Sequence, residues 1–265
     1  MAGFHKAGLP SAVGSRFIAR NKCNADKRLE QVVCRMTQGQ RHQKGGLMEK
    51  PFRQKRIKIA RPGIVFLIAE SILAVAFAIA GMGLLTVLSL AAVGFTGWFF
   101  RDPERTAPDL RGAVLSPADG RVIKVEQLEN SPHYPERCNK VSIFMSVFNV
   151  HVNRIPFDGT VSRLHYNPGK FFSANRDKAS LENEYNAVTV TTDRGKRICF
   201  VQIAGLIARR IICDLKQGER VKKGSRFGMI CFGSRLDLYL PERTRVQVET
   251  GQRVSAGTSV LGILE

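Results

Sequence analysis

Gly233 and Ser234 adjoin in the run Arg226-Phe227-Gly228-Met229-Ile230-Cys231-Phe232-Gly233-Ser234-Arg235-Leu236-Asp237-Leu238-Tyr239-Leu240-Pro241. A Gly-Ser pair inside a β-run is commonly a bulge. It has a second reading. Glycine carries no side chain to shield its own carbonyl, and the hydroxyl of the next serine reaches that carbon through a five-membered ring. Attack would shift the acyl group from nitrogen to oxygen and turn the amide into an ester. β-Elimination and hydrolysis would then leave a pyruvoyl group at position 234. Intramolecular attack avoids the entropy of bringing two reactants together, but it needs a base for the hydroxyl and donors for the oxyanion.

The residue types that could supply the base are few. After residue 61 the only histidines are His133, His151 and His165. His133 lies in a Ser-Pro-His-Tyr-Pro loop, His165 beside Tyr166-Asn167-Pro168, and His151 in Asn149-Val150-His151-Val152-Asn153-Arg154. Residue type alone favours a structural role for each over a catalytic one. Asp119, in Pro117-Ala118-Asp119-Gly120, reads by itself as a turn former. The six cysteines form no Cys-x-x-Cys pair and no zinc-like cluster with histidine, which points to a reducing compartment without a structural metal.

The elements that must position these groups are mostly β. Val141–Met145, Val188–Thr191 and Ile198–Ile203 are rich in β-formers and bounded by turn residues. Leu206–Leu215 reads as a short helix or a further strand. An internal repeat stands at the end of the chain: Gln217-Gly218-Glu219-Arg220-Val221-Lys222-Lys223-Gly224 matches Thr250-Gly251-Gln252-Arg253-Val254-Ser255-Ala256-Gly257. The shared Gly-x-Arg-Val-x-x-Gly is a turn, a short strand and a second turn. Paired copies predict a pseudo-symmetric β-sandwich or flattened barrel, similar to the half-barrels of lipoyl and biotinyl carrier domains. Such carriers display a modified lysine between the halves, whereas Phe227–Glu249 contains no lysine. Carrier function is therefore disfavoured. The fold class predicted is mainly β (α+β), a helical hairpin followed by this β domain.

The hairpin lies between Gly63 and Phe100, 38 residues with one charge, Glu70. A single helix of that length would run about 57 Å, too long for a hydrocarbon core of ~30 Å. Ala80-Gly81-Met82-Gly83 can break it, which predicts helices over 64–80 and 84–100 in a spanning or re-entrant membrane hairpin. Arg53, Lys55, Arg56, Lys58 and Arg61 precede it, and Arg101 and Arg105 follow it. Basic ends place both flanks, and the domain after them, on the cytoplasmic side of the cell (inner) membrane. The segments are then 1–47, a basic extension that is either disordered or upstream of a true start at Met48; 48–62, a basic juxtamembrane stretch; 63–100, the hairpin; and 101–265, the catalytic domain.

The formal charge of +19 is concentrated at the start, where residues 1–61 hold 15 of the 41 Lys/Arg and three of the 22 Asp/Glu. Such an arm suits an anionic membrane or nucleic acid. Its place before a membrane hairpin, without a recognition motif, argues against nucleic acid. A non-enzymatic membrane adaptor would explain the hairpin and the repeats. It leaves Gly233-Ser234 with Asp119 and His151 unexplained.

The motifs in order carry a resemblance. Trp98-Phe99-Phe100-Arg101-Asp102-Pro103-Glu104-Arg105, Ser116 to Gly120, Phe144-Met145-Ser146 through Pro156, Pro168-Gly169-Lys170-Phe171, Asp177-Lys178-Ala179-Ser180 and Arg226 through Pro241 together resemble the short form of phosphatidylserine decarboxylase, from about Met48 to Glu265. The resemblance implies decarboxylation of phosphatidylserine to phosphatidylethanolamine through a Schiff base with a pyruvoyl group. It implies self-cleavage between Gly233 and Ser234, with Ser234 giving the pyruvoyl group and neither metal nor pyridoxal phosphate taking part. The two resulting chains would stay associated as a heterodimer, with a dimer as the family expectation, a higher oligomer left open and a membrane phospholipid as substrate. By the same resemblance His151 is the base and Asp119 the aspartate that orients it. Arg226, Arg235 and Lys170 are candidate contacts to the lipid headgroup, and the loop of Lys170, Phe171 and Phe172 is a candidate to dip into the bilayer. Three positions depart from the pattern. Arg154 stands where the long form has a second histidine, Arg235 where it has threonine, and Tyr185 where arginine is expected.

Overall fold

A computed structural model describes residues 59–171, 182–205, 210–231 and 233–265. The extension 1–47, most of the juxtamembrane stretch, the Asp177–Ser180 motif and Phe172 lie outside the described residues. The hairpin forms as α1 (Arg61–Ile79) and α2 (Gly83–Phe99), joined through Gly81 at φ +70°. α1 starts three residues before the expected position. Pro62 occupies its first turn, where the missing N–H has no helical partner to lose. α1 is long and apolar enough to cross a membrane. Val65, Ile68, Ile72, Val75, Leu84 and Leu90 are exposed on the two helices. Between them Thr96 Oγ1 donates to Glu70 Oε1 at 2.9 Å, so the one charge of the hairpin faces the partner helix.

After the hairpin the chain is β: β1 (Ala113–Leu115), β2 (Gly120–Leu128), β3 (Cys138–Met145), β4 (Val152–Arg154), β5 (Gly159–Asn167), β6 (Tyr185–Thr191), β7 (Arg197–Ala204), β8 (Ile211–Cys213), β9 (Arg220–Val221), β10 (Arg226–Ile230), β11 (Ser234–Pro241), β12 (Arg245–Val246), β13 (Arg253–Val254) and β14 (Val260–Ile263). Eight of these form one curled, half-barrel sheet in the order β13-β2-β3-β11-β7-β6-β5-β9. Two three-stranded sheets, β1-β14-β12 and β4-β10-β8, complete the domain.

The sheet order is that of a pseudo-twofold. β9 and β13, which carry the sequence repeat, sit at the two edges of the large sheet. Val221 pairs with Gly159, and Val254 with Gly120. Both glycines follow an aspartate, and a Cβ at either would strike the carbonyl of Phe144 or Thr191 on the neighbouring strand. The aspartates match as well: Asp158 accepts from Lys223 N at 2.9 Å, and Asp119 from Ala256 N at 2.7 Å. The small sheets correspond strand for strand, with β4, β10 and β8 answering β1, β14 and β12. One half runs continuously from β4 to β10. The other is built from β1–β3 and β11–β14, so the first half is inserted into the second. The chain crosses between halves twice, at 146–151 and at 231–233.

β11 lies at the centre of the large sheet, antiparallel to β3 and β7. Its Leu236, Leu238 and Leu240 are fully buried in the main core with Val141, Ile143, Val188, Phe200 and Phe227. Each such burial contributes about 1.5–3 kcal/mol. The opposite face of β11 is also covered, by Tyr134, Cys199 and Val201 around Tyr239. The expected short helix or strand over 206–215 is resolved in favour of strand β8 where it is described.

Candidate active site

The two crossovers meet. Ser146–Asn149 is a turn in which Asn149 N donates to Ser146 O, while Ser146 N and Oγ donate to Asn149 Oδ1 at 2.9 and 2.8 Å. Polar short side chains favour this local bonding over strand continuation, so β3 ends at Met145. The turn delivers His151 into the interior, fully buried, with its ring 4.3 Å from that of Phe99 at the base of α2. His151 Nδ1 lies 2.9 Å from the carbonyl of Asn149, and the backbone N–H of Gly233 points at Nε2 from 3.4 Å. A carbonyl only accepts and an amide N–H only donates. The proton therefore sits on Nδ1, and the Nε2 lone pair accepts the Gly233 N–H, one peptide unit before the Gly233-Ser234 linkage. Burial pushes the imidazole down to about 4, with nearby Arg101 acting in the same direction and the Asn149 and Asp119 interactions opposing it. His151 is thus neutral at pH 7, the form a base requires.

Gly233 takes φ +66°, a left-handed conformation that glycine adopts without penalty, and the nearest atom to a Cβ there would be Val147 Cγ1 at 4.0 Å. No side chain of its own shields its carbonyl carbon. Ser234 is the first residue of β11 and fully buried, and its Oγ donates to Met145 Sδ at 3.4 Å. A thioether is a weak acceptor, so the hydroxyl is held without being strongly engaged. Behind it runs a buried polar chain. Asn153 Nδ2 donates to the same sulfur, Gln202 Nε2 to Asn153 Oδ1 at 2.9 Å, and Asn186 Nδ2 to Gln202 Oε1 at 3.0 Å.

Gly233, Ser234 and His151 are brought together; Asp119 is near enough to act on the charge of His151, and Arg226, Arg235 and Lys170 find partners elsewhere. Asp119 makes no hydrogen bond to His151. Its carboxylate is gripped by both terminal nitrogens of Arg105 and by Ala256 N–H. The motif arginine and the fold's pseudo-symmetry thus claim the aspartate that the resemblance assigns to orienting the ring, and a backbone carbonyl does the orienting. Arg154 is buried and donates to Gly224 O, Pro103 O and Asp102, so it does not stand in for a second proton carrier. Arg226 pairs with the same Asp102 through Nε at 2.5 Å and with Glu104. Arg235 points to the other face of β11 and binds Asp237 and Ser142 there. Lys170 is at the surface beside Glu182. Phe171 packs against the main core instead of leaving it, and Tyr185 lies in an aromatic cluster with His133 and His165.

Asn149, Asn153, Gln202 and Arg101 join the site without having been expected there. Gln202 carried a signal, a polar residue in the middle of the apolar run Ile198–Ala204. Arg101 donates to the carbonyls of Trp98 and Phe148, both at 2.8 Å, and has no carboxylate partner among the described residues. Among the described residues no group of three or more His, Cys, Asp or Glu is placed to hold a metal ion.

The family model for phosphatidylserine decarboxylase matches residues 93–262, which span both halves and both crossovers. The chain belongs to the phosphatidylserine decarboxylase family. It is 51% identical over 207 residues to a phosphatidylserine decarboxylase proenzyme of Syntrophus aciditrophicus, covering 77% of this chain and 96% of the relative. Proteins of the same name from Desulfotalea psychrophila (45% over 209 residues; 79% and 98%) and Ralstonia pickettii (48% over 198 residues; 70% and 91%) are also similar. As a member of this family the chain is a decarboxylase, and the meeting point of its crossovers is the place to seek the chemistry.

Proposed function

We propose that this chain decarboxylates phosphatidylserine to phosphatidylethanolamine at a membrane surface, after cutting itself between Gly233 and Ser234. The observation that carries the reading is the neutral His151 whose Nε2 is held at Gly233, the residue on the N-terminal side of this linkage. His151 takes the Ser234 hydroxyl proton as Oγ bonds to the Gly233 carbonyl carbon and the peptide nitrogen leaves. The ester then loses the Ser234 α-proton, the Gly233 carboxylate departs, and water releases ammonia to leave the pyruvoyl group. The site suits that group, since position 234 is fully buried and its side chain meets Met145 Sδ, the sulfur that the Asn153 amide also reaches. Once formed, the pyruvoyl ketone would take the substrate amine as a Schiff base and accept the electron pair left by carbon dioxide. His151, with Nδ1 committed to Asn149, would then return a proton.

The 32 residues from 234 onward make β11, β12, β13 and β14. β11 is bonded on both sides within the large sheet, β13 closes one of its edges, and β12 and β14 share a sheet with β1. That placement supports a lasting pairing of the two chains after cleavage. The apolar hairpin supports membrane attachment, and its basic flanks Arg61, Arg101 and Arg105 favour the cytoplasmic side.

Intact mass tests the reading. Wild type should give two pieces, and Ser234→Ala one chain near 29.4 kDa with no release of carbon dioxide from headgroup-labelled phosphatidylserine. A folded wild-type chain that never splits sinks it.

A further inference from the structure

The loop that presents His151 has an aromatic tip. Phe148 is 68% exposed, although the residues on either side of it are half-buried. Its ring meets that of Trp98 edge-on, with centroids 6.0 Å apart, and Trp98 in turn neighbours the exposed Phe95 on α2. The Arg101 guanidinium stacks over Trp98 at 4.1 Å and donates to the carbonyls of both Trp98 and Phe148. The tip is thus tied to the base of the hairpin. The surface it makes, two aromatic rings beside a cation without a carboxylate partner among the described residues, continues the apolar surface of α2.

We infer that Phe148 is a third membrane-insertion point, separate from the two helices. It seats the His151 loop at the headgroup–acyl boundary of an anionic phospholipid bilayer. Aromatic side chains with a flanking arginine favour that layer, where the ring is shielded and the charge stays among phosphates. From the Phe148 tip to the catalytic ring the path is two hydrogen-bonded steps, through the Ser146–Asn149 turn and the Asn149 carbonyl that holds Nδ1. Insertion would set the depth of the base relative to a lipid headgroup. The inference rests on the membrane attachment proposed above and goes beyond it, since the hairpin alone could hold the β domain clear of the bilayer.

Trp98 is the single tryptophan of the chain, which makes the test direct. The full chain is reconstituted into phosphatidylcholine–phosphatidylserine vesicles containing lipids brominated near the headgroup end or near the tail end of the acyl chain. Three proteins are compared: wild type, Trp98→Phe/Phe148→Trp, and Trp98→Phe/Leu90→Trp as a hairpin control. Only preparations with a wild-type cooperative melt are read. In the Phe148→Trp protein the loop-tip indole should lose about half its emission to the shallow bromines and less to the deep ones, since interfacial side chains lie roughly 5–10 Å into the boundary. In the Leu90→Trp protein the hairpin indole should be quenched more by the deep ones. If the hairpin indole is quenched and the loop-tip indole keeps a red, unquenched emission, the inference is wrong while hairpin attachment stands. A blue-shifted loop-tip emission that bromine does not touch assigns the ring to a protein contact and also overturns it. If neither indole is quenched, membrane attachment itself fails. None of these readouts depends on decarboxylation. Should the double substitution at the loop tip not fold, Phe148→Ala in the wild-type background replaces it. Shallow quenching of Trp98 should then fall at least two-fold, and unchanged quenching counts against insertion.

Discussion

His151 Nε2 faces the backbone nitrogen of Gly233 at the point where the chain leaves the inserted half, and nothing but fold topology puts them there. The two residues are 82 positions apart. They meet because an inserted half must have an entrance and an exit, and these lie side by side. The insertion places a base at one crossover and a left-handed glycine at the other.

The buried imidazole gives the first expectation. Its folded value near 4 lies below the ordinary 6.5, so protonation is disfavoured in the folded chain. Self-cleavage should hold its rate as pH falls through 6.5 and decline only toward about 4. His151→Gln should slow cleavage at least ~100-fold, the usual scale for a general base. Stability follows the same sign. Between these two values the unfolded chain binds the proton and the folded chain does not, so the uncleaved Ser234→Ala protein should lose stability as pH drops from 6.5 to 4, by about 3 kcal/mol. Cleavage kinetics across pH, and denaturant melts of the Ser234→Ala chain, check both.

Asp119 and Arg105 give the second. Their ion pair is mostly shielded, with side-chain exposures of 12% and 14%, and Asp119 also caps Ala256 N–H. Removing either partner strands the other, so Asp119→Asn and Arg105→Met should each cost about 2 kcal/mol, and the double variant much less than the sum. Were Asp119 instead orienting His151, Asp119→Asn would depress cleavage by ~10⁴-fold with little change in the melt. Urea melts beside cleavage rates separate the two roles.

The glycines of the repeat give the third. Gly218 and Gly257 both have positive φ, but a Cβ at Gly218 meets open space while one at Gly257 would sit 2.7 Å from Arg154 Cδ. Gly218→Ala should cost about 1 kcal/mol from backbone strain alone. Gly257→Ala should cost ~1–3 kcal/mol more, because Arg154 is fastened at three oxygens and cannot easily yield. Parallel denaturation of the two variants reads the difference.

Much of this was legible in the sequence for physical reasons. Val141–Met145 and Ile198–Ile203 alternate or run apolar because both faces of the large sheet are covered, and the strands appear where that pattern lies. The Arg-Val repeat announced the pseudo-symmetry because each copy must make the same edge pairing and the same turn. Asp119-Gly120 reads by itself as a turn, and only the structure shows that Asp158-Gly159 matches it in the same capping role. The partners of Asp119, Arg154, Arg226 and Arg235 were not legible at all. A charge in sequence has no address until tertiary structure supplies a counter-charge, and here Asp102 and Asp237 pair with Arg226 and Arg235, the residues assigned to substrate, while Arg105 pairs with Asp119, the one assigned to orienting His151.

The polar chain behind Ser234 gives the last expectation. Gln202 holds Asn153 by its oxygen, which fixes the Asn153 amide so that its N–H₂ points toward Met145 and the Ser234 side chain. A sulfur at 3.8 Å is a poor partner for a buried amide, so this donor is under-used before cleavage. It becomes useful once oxygen of higher electron density develops at positions 233 and 234. Gln202→Leu should leave Asn153 Oδ1 without its Gln202 donor and Asn186 Nδ2 with only the weak acceptor Cys213, costing ~1–3 kcal/mol. It should also slow self-cleavage by about ten-fold as the Asn153 amide loses its fixed orientation. Asn153→Ala should slow cleavage comparably with a smaller loss of stability, whereas Gln202→Glu, which can still accept from Asn186, should fall between. If Asn153→Ala cleaves at the wild-type rate, the chain serves packing alone, and the polarity of this part of the core must be explained by the sheet instead of by the reaction.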